Sequence, residues 1–466
     1  MNKRPLLRKY ILFDIIASLL VWVLFMSFRK IVNDGQIFDG ARVFIPNFNY
    51  LNSLMLFPFS CVFIHYLSGF YLFPEKQTKA NLILTTLAAS AIISISIFFV
   101  LLLDDQVVSY EYYYYSLLAL FGLLFVFTYF FRAIINNKVH QNFKSKKWTI
   151  NTLIIGTGNN ARKIAGELEK NVKENTLIGF ISTDHNIVIP KERVLGNLFQ
   201  LSSIIEDRKI QEVIIVLENS DEYQLFTIIN SLYKYNIDIR FTPRLYEILT
   251  GSAKISNIEI SPLVCITSSS MPDWEASVKR FLDVVISLFA IILFSPLFVY
   301  FMILIKTDSK GPVFYRQERV GRFGIPFDIL KFRTMRVGSE NGTPRLSSAN
   351  DNRITSIGRI LRKYRIDEVP QFFNIMKGDM SLVGPRPERR YYINQIINDA
   401  PYYCLLYKIR PGLTSWGPIK IGYSDTIEKM IDRLNYDIIY MDNMSLITDL
   451  KILIYTIEII FKGKGV

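Results

Sequence analysis

Apolar positions run almost unbroken through four stretches of the first third of the chain, Ile11–Phe28, Leu51–Phe73, Leu82–Leu103 and Tyr112–Phe131. Each is near the ~20 residues a helix needs to cross the hydrocarbon core of a bilayer, so the pattern predicts four transmembrane helices within residues 1–145. The charged residues between them are not sorted at random. Lys3, Arg4, Arg8 and Lys9 precede the first stretch, Lys76 and Lys79 lie between the second and third, and Arg132, Lys138, Lys144, Lys146 and Lys147 follow the fourth. The loop Asp104–Glu111 carries no base, while the loop after the first stretch holds Arg29, Lys30 and Arg42 and blurs the bias without reversing it. Basic flanks stay on the cytoplasmic side, which puts both ends of the bundle, and the rest of the chain, inside. The first stretch lacks a small-residue cleavage site and reads as a helix rather than a removable leader. A soluble helical bundle is the competing reading.

The period changes after the fourth stretch. Thr149–Gly156, Leu177–Ser182, Glu212–Leu217 and Ile237–Thr242 are short apolar runs with helical patterns between them, which predicts a doubly wound, Rossmann-like α/β domain over 146–250. The first run leads into Gly156, Gly158 and Ala161, a GxGxxA loop after a strand and before a helix, the setting in which a dinucleotide-binding fold holds phosphate. The acidic partner that such folds carry about 20 residues on is not clearly placed, since Asp184 comes late, and no Tyr-x-x-x-Lys pair occurs between 146 and 250. A structural or regulatory domain without a bound dinucleotide is therefore expected, with nucleotide sensing as the alternative. A Ser/Ile-rich linker, 251–273, follows.

A fifth apolar segment, Phe281–Ile305, differs from the first four. Ser295-Pro296 sits at its centre, and bases flank both ends, Lys279-Arg280 before it and Lys306 and Lys310 after it. Proline removes a backbone donor, and in lipid the orphaned carbonyl must find a local partner, such as the serine hydroxyl. Equal basic flanks fit a re-entrant helical hairpin that enters and leaves on one side; a kinked spanning helix is the alternative. Near the end, Leu446–Phe461 has apolar residues at helical spacing and is read as a helix that packs on the core or lies on the membrane surface.

Composition sharpens the picture. The chain has 466 residues, of which 50% are hydrophobic, and a net charge of +13. From Lys310 to Arg365 there are 13 Lys/Arg against 4 Asp/Glu, a block that attracts polyanions. Cys61, Cys265 and Cys404 are isolated and offer no metal-ligand spacing. The three histidines, His65, His140 and His185, all lie in the first half. Chemistry in the second half must therefore use carboxylates, bases and hydroxyls.

Within that half, Asp367-Glu368 is an acidic pair set among Arg362, Lys363 and Arg365. Around it stand Phe314–Gly321 (FYRQERVG), Lys331–Met335 (KFRTM), Gly384-Pro385-Arg386-Pro387 and Pro411–Trp416 (PGLTSW). Together with the fifth apolar segment, these motifs over about 274–466 resemble the bacterial sugar transferases, polyprenyl-phosphate hexose-1-phosphate transferases that begin exopolysaccharide, capsule and O-antigen repeat units. The order of four spans, α/β domain and catalytic module resembles the large members of that family. The resemblance implies a membrane α plus α/β protein whose monotopic α/β catalytic domain, 274–466, carries the re-entrant helix 281–305. It implies transfer of a hexose-1-phosphate from a UDP-sugar to undecaprenyl phosphate with release of UMP. It further implies Asp367 as nucleophile, Glu368 as its partner, and magnesium (or manganese) held by the two. Ser415 and Met444 stand where the family commonly has Gly and Trp, which bears on sugar or nucleotide preference.

The residues agree with that chemistry. Phosphoryl transfer needs in-line placement and neutralised charge more than proton shuttling. Pro370 suits the first turn of a helix, which would put the dyad at a positive helix end beside Arg362 and Arg365, both effects favouring the carboxylate form. Arg386, stiffened between two prolines, suits a phosphate clamp; Arg362 is a second candidate, with Lys331 and Arg333 behind it. Asp283 is expected to pair with Lys279 or Arg280, and Gly338–Asn350 is read as a lid or an idle loop. The expected partners are UDP-sugar, undecaprenyl phosphate and membrane lipid, with no nucleic acid and a homodimer left open. The expected location is the bacterial inner (cytoplasmic) membrane. Two other readings compete: a membrane-anchored nucleotide-sugar oxidoreductase or epimerase, and a non-enzymatic scaffold that binds anionic lipid through the basic block.

Overall fold

The computed structural model describes residues 3–34, 48–104, 111–172, 174–183, 188–218, 222–235, 237–243, 263–266, 270–339, 351–422 and 426–461. Asp184, most of the 251–273 linker, most of the Gly338–Asn350 loop and most of the Asp104–Glu111 loop lie outside them. Two compact units divide the chain, Met1–Trp148 with Pro272–Val278, and Thr149–Met271 with Lys279–Val466.

The first unit contains α1 (Lys3–Asp34), α2 (Phe48–Leu67), α3 (Lys79–Asp104) and α4 (Glu111–Lys144). All four predicted helices are present. The second ends at Leu67 rather than Phe73, because Ser68-Gly69 turns the chain before a short 3-10 turn at Pro74–Lys76. By length and apolar character, α1, α3 and α4 can each cross a membrane, whereas α2 is at the short end of the range. Val21, Trp22, Phe25, Phe57, Cys61, Ile93, Leu120 and Leu124 fill an apolar core between the four.

A charge is buried in this bundle. The Arg132 guanidinium donates to Asp14 through Nε to Oδ1 (2.9 Å) and Nη2 to Oδ2 (2.7 Å), and through Nη1 to Thr86 Oγ1 (3.2 Å). Tyr71 donates its hydroxyl to Asp14 Oδ2 at 2.6 Å, and the Phe70 ring lies 3.8 Å from the guanidinium carbon. Removing one member leaves the other charge uncompensated, at a cost of about 3–5 kcal/mol. Arg132→Leu alone is expected to lower the thermal midpoint of the detergent-solubilised protein, and Asp14→Leu/Arg132→Leu to recover most of the loss; equal losses in both would show that the pair itself matters little.

In the second unit, β1 (Ile150–Ile155), α5 (Asn159–Asn171), β2 (Asn175–Ser182), β3 (Val194–Asn197), α6 (Leu201–Asp207), β4 (Glu212–Ile215), α7 (Glu222–Leu232), β5 (Asp238–Phe241) and β6 (Val264–Cys265) build one sheet. Its order is β3-β2-β1-β4-β5-β6, parallel except for β6. β1 pairs with β2 on one side and β4 on the other, so the strand order reverses there. Alternate residues of β1 go to opposite faces: Leu153 and Ile155 join one core, and Ile154 joins Ala161, Ile164, Ala165 and Leu168 of α5 in the other. Burial on both faces explains why β1 reads as a continuous apolar run. β3, three half-buried residues and an exposed one, has no such run and escaped the sequence pattern.

The remaining elements are α8 (Asp273–Asp308), β7 (Phe314–Val320), β8 (Pro326–Phe332), α9 (Ser356–Lys363), α10 (Gln371–Lys377), β9 (Ser381–Val383), α11 (Arg390–Asp399), β10 (Gly412–Thr414), α12 (Trp416–Ile421), α13 (Ile427–Asp442) and α14 (Leu446–Phe461). β7 and β8 form an antiparallel hairpin, and β9 and β10 a short parallel pair. Tyr392, Ile396, Tyr403, Tyr407, Met430 and Leu434 belong to the same hydrophobic cluster as Leu153, Val213 and Ile239, so the sheet and the C-terminal part share a core.

The fifth apolar segment lies within one helix that is, by length and composition, also able to cross a membrane. Asp273–Asp308 is a single helical run of 36 residues that includes Pro296, with no loop dividing it. Pro296 leaves the Ile292 carbonyl without its usual donor, and Ser295 Oγ supplies one at 2.7 Å. Both flanks pack on the same unit: Arg280 donates to the Ile375 and Met376 carbonyls (2.7 and 2.9 Å), and Phe298 meets Phe332 and Phe373. Between them, Ile292 through Leu297 are exposed without interruption. Asp283 does not pair with Lys279 or Arg280 as expected. It accepts the Leu382 N–H at 2.9 Å, while Lys279 pairs with Asp449. Carbonyls and a carboxylate of the packed domain take both bases instead.

Candidate active site

The acidic pair is set by a tight chain reversal. α9 ends at Lys363; Arg365 then adopts φ 54°, a left-handed conformation that is uncommon for a side chain with Cβ and found mostly where surroundings enforce it. It opens the 3-10 turn Ile366–Glu368. Pro370 caps the following helix, α10, close to the sequence expectation. The turn places Asp367 and Glu368 at a cavity of ≈ 550 Å³ whose walls include Lys331, Arg319, Arg336, Arg362, Arg365, Arg386, Arg389 and Arg433.

The two carboxylates have different surroundings. Glu368 Oε1 accepts from Lys331 Nζ at 2.9 Å and lies 3.5 Å from Arg386 Nη2; its Oε2 lies 3.5 Å from Arg365 Nη1. Asp367 makes no hydrogen bond or ion pair among the described residues. Burial pushes Asp367 up to about 6, with Glu368 adding to the rise and Lys331, Arg362 and Arg365 opposing it. Burial works on Glu368 too, but Lys331, Arg386 and Arg365 outweigh it and hold its carboxyl well below the usual range. Arg362 and Arg365 favour the Asp367 carboxylate as the sequence implies, but burial and the neighbouring Glu368 outweigh them. The pair divides into an anchored anion and an unanchored carboxyl.

The predicted phosphate-binding residues separate likewise. Arg386 follows β9, where Gly384 N–H donates to Thr414 O (3.0 Å) and Gly412 N–H to Pro385 O (2.9 Å), fixing the Pro385-Arg386-Pro387 segment against β10. A Cβ on Gly384 would lie 2.4 Å from the Arg410 carbonyl, so the close approach needs glycine. Arg362 lines the cavity with its Nε donating to Thr334 Oγ1 at 2.9 Å. Arg333 also reaches the wall, but it donates to the carbonyls of Ser309 (2.6 Å) and Lys310 (3.0 Å), which close the C-terminal end of α8. Its position favours bracing α8 over phosphate contact. Ser295, Pro296, Gly156, Gly158 and Ala161 are not among the cavity's lining residues.

A further charge cluster was not singled out from the sequence. Glu388 Oε1 accepts from Arg433, and its Oε2 lies 3.4 Å from Arg319 Nη1. Burial, then the neighbouring Arg386 and Arg389 charges, lower Arg319 against the pull of Glu388. Asp437 lies one turn beyond Arg433; burial pushes it up to about 6 although Arg433 and the Gly417 N–H oppose this. The signal was available: Arg433 and Asp437 fall on the buried face of α13 with Met430, Leu434 and Met441. Among the described residues no group of three or more His, Cys, Asp or Glu could hold a metal ion by itself. A divalent cation at the dyad would need substrate oxygens as well, which suits magnesium, an ion that takes few carboxylates plus phosphates.

Residues 274–463 match the bacterial sugar transferase family, and residues 69–243 match a family described as a CoA-binding domain. A UDP-N-acetylgalactosamine-undecaprenyl-phosphate N-acetylgalactosaminephosphotransferase of Aeromonas hydrophila is 38% identical over 49% of this chain and 54% of its own length. A UDP-glucose:undecaprenyl-phosphate glucose-1-phosphate transferase of Caulobacter vibrioides is 41% identical over 38% of this chain and 68% of its own length. A putative undecaprenyl-phosphate N-acetylgalactosaminyl 1-phosphate transferase of Bacillus subtilis is 41% identical over 27% of this chain and 70% of its own length. The chain therefore belongs to the bacterial sugar transferase family. It spans little more than half the length of the Aeromonas relative.

Proposed function

We propose that this protein is a phosphoglycosyl transferase that moves a hexose-1-phosphate from a UDP-sugar to undecaprenyl phosphate. The relatives named for that reaction support the substrate classes. The observation that carries the reading is the unpaired Asp367 carboxyl beside an anchored Glu368 in a cavity walled by bases. An Asp367 oxygen attacks the sugar-bearing phosphorus of the donor. The bond from that phosphorus to the bridging oxygen breaks, and UMP leaves with the electron pair. The aspartyl phosphosugar is then attacked at the same phosphorus by an oxygen of undecaprenyl phosphate, which restores the carboxylate and yields a lipid diphosphate sugar. Arg386 and Arg362 neutralise donor phosphates, and Lys331 and Arg365 hold Glu368. Asp367 and Glu368 would hold a magnesium ion, which would supply further charge neutralisation. The product suits the first membrane step of exopolysaccharide, capsule or O-antigen synthesis. Turnover of purified protein against a panel of UDP-sugars, read as UMP release, tests the reading: release with none of them in the presence of undecaprenyl phosphate and magnesium would refute it.

The catalytic part works at the inner face of the cytoplasmic membrane, where nucleotide sugars are found. α8 dips into the bilayer and returns, with exposed Ile292 through Leu297 as its apex and Ser295-Pro296 as its bend. The packing of both flanks on one domain supports this course. In a variant lacking the three native cysteines, Trp274→Cys and Thr307→Cys are each expected to react with an impermeant maleimide in inverted vesicles and not in intact cells. Labelling of either from the outside would mean a helix that crosses.

A further inference from the structure

The Gly156–Ala161 loop has the form of a phosphate cradle, and the CoA-binding family match over 69–243 implies a nucleotide there. Gly156 has φ +128°, and a Cβ on it would lie 2.0 Å from the Val216 carbonyl, so this glycine serves the close approach of β1 to the end of β4. The second glycine is the one that lets a pyrophosphate approach the backbone in dinucleotide folds. Here the space beside it is taken by the end of the exposed Glu218 side chain: a Cβ on Gly158 would lie 2.1 Å from its carboxyl carbon and from its Oε1. The same Oε1 accepts the backbone N–H of Asn160, the first turn of α5, at 3.1 Å. Glu218 follows β4, the strand across the point where the sheet order reverses, and so enters the crevice where ligands of such sheets bind.

We infer that Glu218 is an internal occupant of this anion slot: its carboxylate takes the amide and the positive helix end that would otherwise face a nucleotide's phosphates. The residues therefore do not fit a bound CoA or dinucleotide pyrophosphate. A second anion brought to Asn160 would meet the Glu218 carboxylate, and like charges brought together at close range are strongly unfavourable. The domain retains the loop for packing, with both glycines serving contacts made by the chain itself.

The test uses the full-length protein in detergent and reads hydrogen exchange of peptides covering 157–165, which separates this loop from the base-walled cavity of the catalytic part. The probes are inorganic pyrophosphate, NAD and CoA. The wild-type loop is expected to gain no protection from any of them. Glu218→Ala is expected to gain protection with pyrophosphate, at an apparent affinity about tenfold or more above the wild type, since removal of a repelling charge is worth at least that. If the alanine variant fails to fold, Glu218→Gln, which keeps the side-chain length and removes the charge, is expected to show the same gain. Protection of the wild-type loop by NAD or CoA would overturn the inference. So would a folded Glu218 variant that gains nothing, since the carboxylate would not then be what excludes the phosphates.

Discussion

Asp367→Asn is expected to abolish UMP release, lowering turnover by at least about a thousandfold, while leaving the fold intact. Asparagine has the shape of aspartate but no charge, and its amide is a poor nucleophile towards phosphorus. The fold should survive because Asp367 anchors nothing: no ion pair or hydrogen bond to it occurs among the described residues. Far-ultraviolet circular dichroism and the thermal midpoint check the fold, and a coupled assay for UMP checks turnover. A variant that releases UMP at more than a tenth of the wild-type rate would remove Asp367 from the nucleophile's role. Glu368 differs because Lys331, Arg365 and Arg386 all approach it. Glu368→Gln would release three bases at once, and a loss there would mix positioning with chemistry.

Removal of divalent cations should have an effect of similar size. Chelation with EDTA is expected to stop UMP release, and added magnesium to restore it. The reason lies in the charges that must meet. The donor diphosphate is an anion, Glu368 is ionised, and Asp367 must lose its proton to attack although burial and Glu368 push its carboxyl up to about 6. A divalent cation held by Asp367 and Glu368 would offset the repulsion and favour the ionised nucleophile. If UMP release persists at full rate in excess EDTA, the bases of the cavity suffice alone and the metal has no part in the step.

Legibility differed from element to element. The dyad, Lys331 and the Gly-Pro-Arg-Pro segment could be found because each motif is short and of unusual composition. Their convergence on one cavity depends on β8, the Ile366–Glu368 turn and the end of β9 coming together. That is long-range information, and it was reached through family resemblance rather than periodicity. The four apolar helices of the first unit were legible because each is a single long segment of apolar residues. The Asp14–Arg132 pair was not, since its members are 118 residues apart. The helix Leu446–Phe461 coincides with its apolar pattern, while β3 was too short and too exposed to register. Glu388, Arg319 and Arg433 were missed because a buried cluster of mixed charge reads, one residue at a time, as surface. The raised carboxyl of Asp367 was missed for a related reason: neighbouring bases are visible in a sequence and lost hydration is not.

The glycine loop shows how a motif can persist with another occupant. Gly156 and Gly158 met the pattern of a phosphate cradle, and the residue that decides its fit, Glu218, lies beyond the end of another strand.

The most direct test of the account is capture of the intermediate. Enzyme mixed with UDP-sugar and magnesium in the absence of undecaprenyl phosphate, quenched and digested, should yield a peptide containing Asp367 heavier by one phosphosugar. The adduct should be absent from Asp367→Asn and lost when undecaprenyl phosphate is added before the quench. If wild-type enzyme releases UMP under these conditions and no such adduct forms on Asp367, transfer does not pass through that carboxylate.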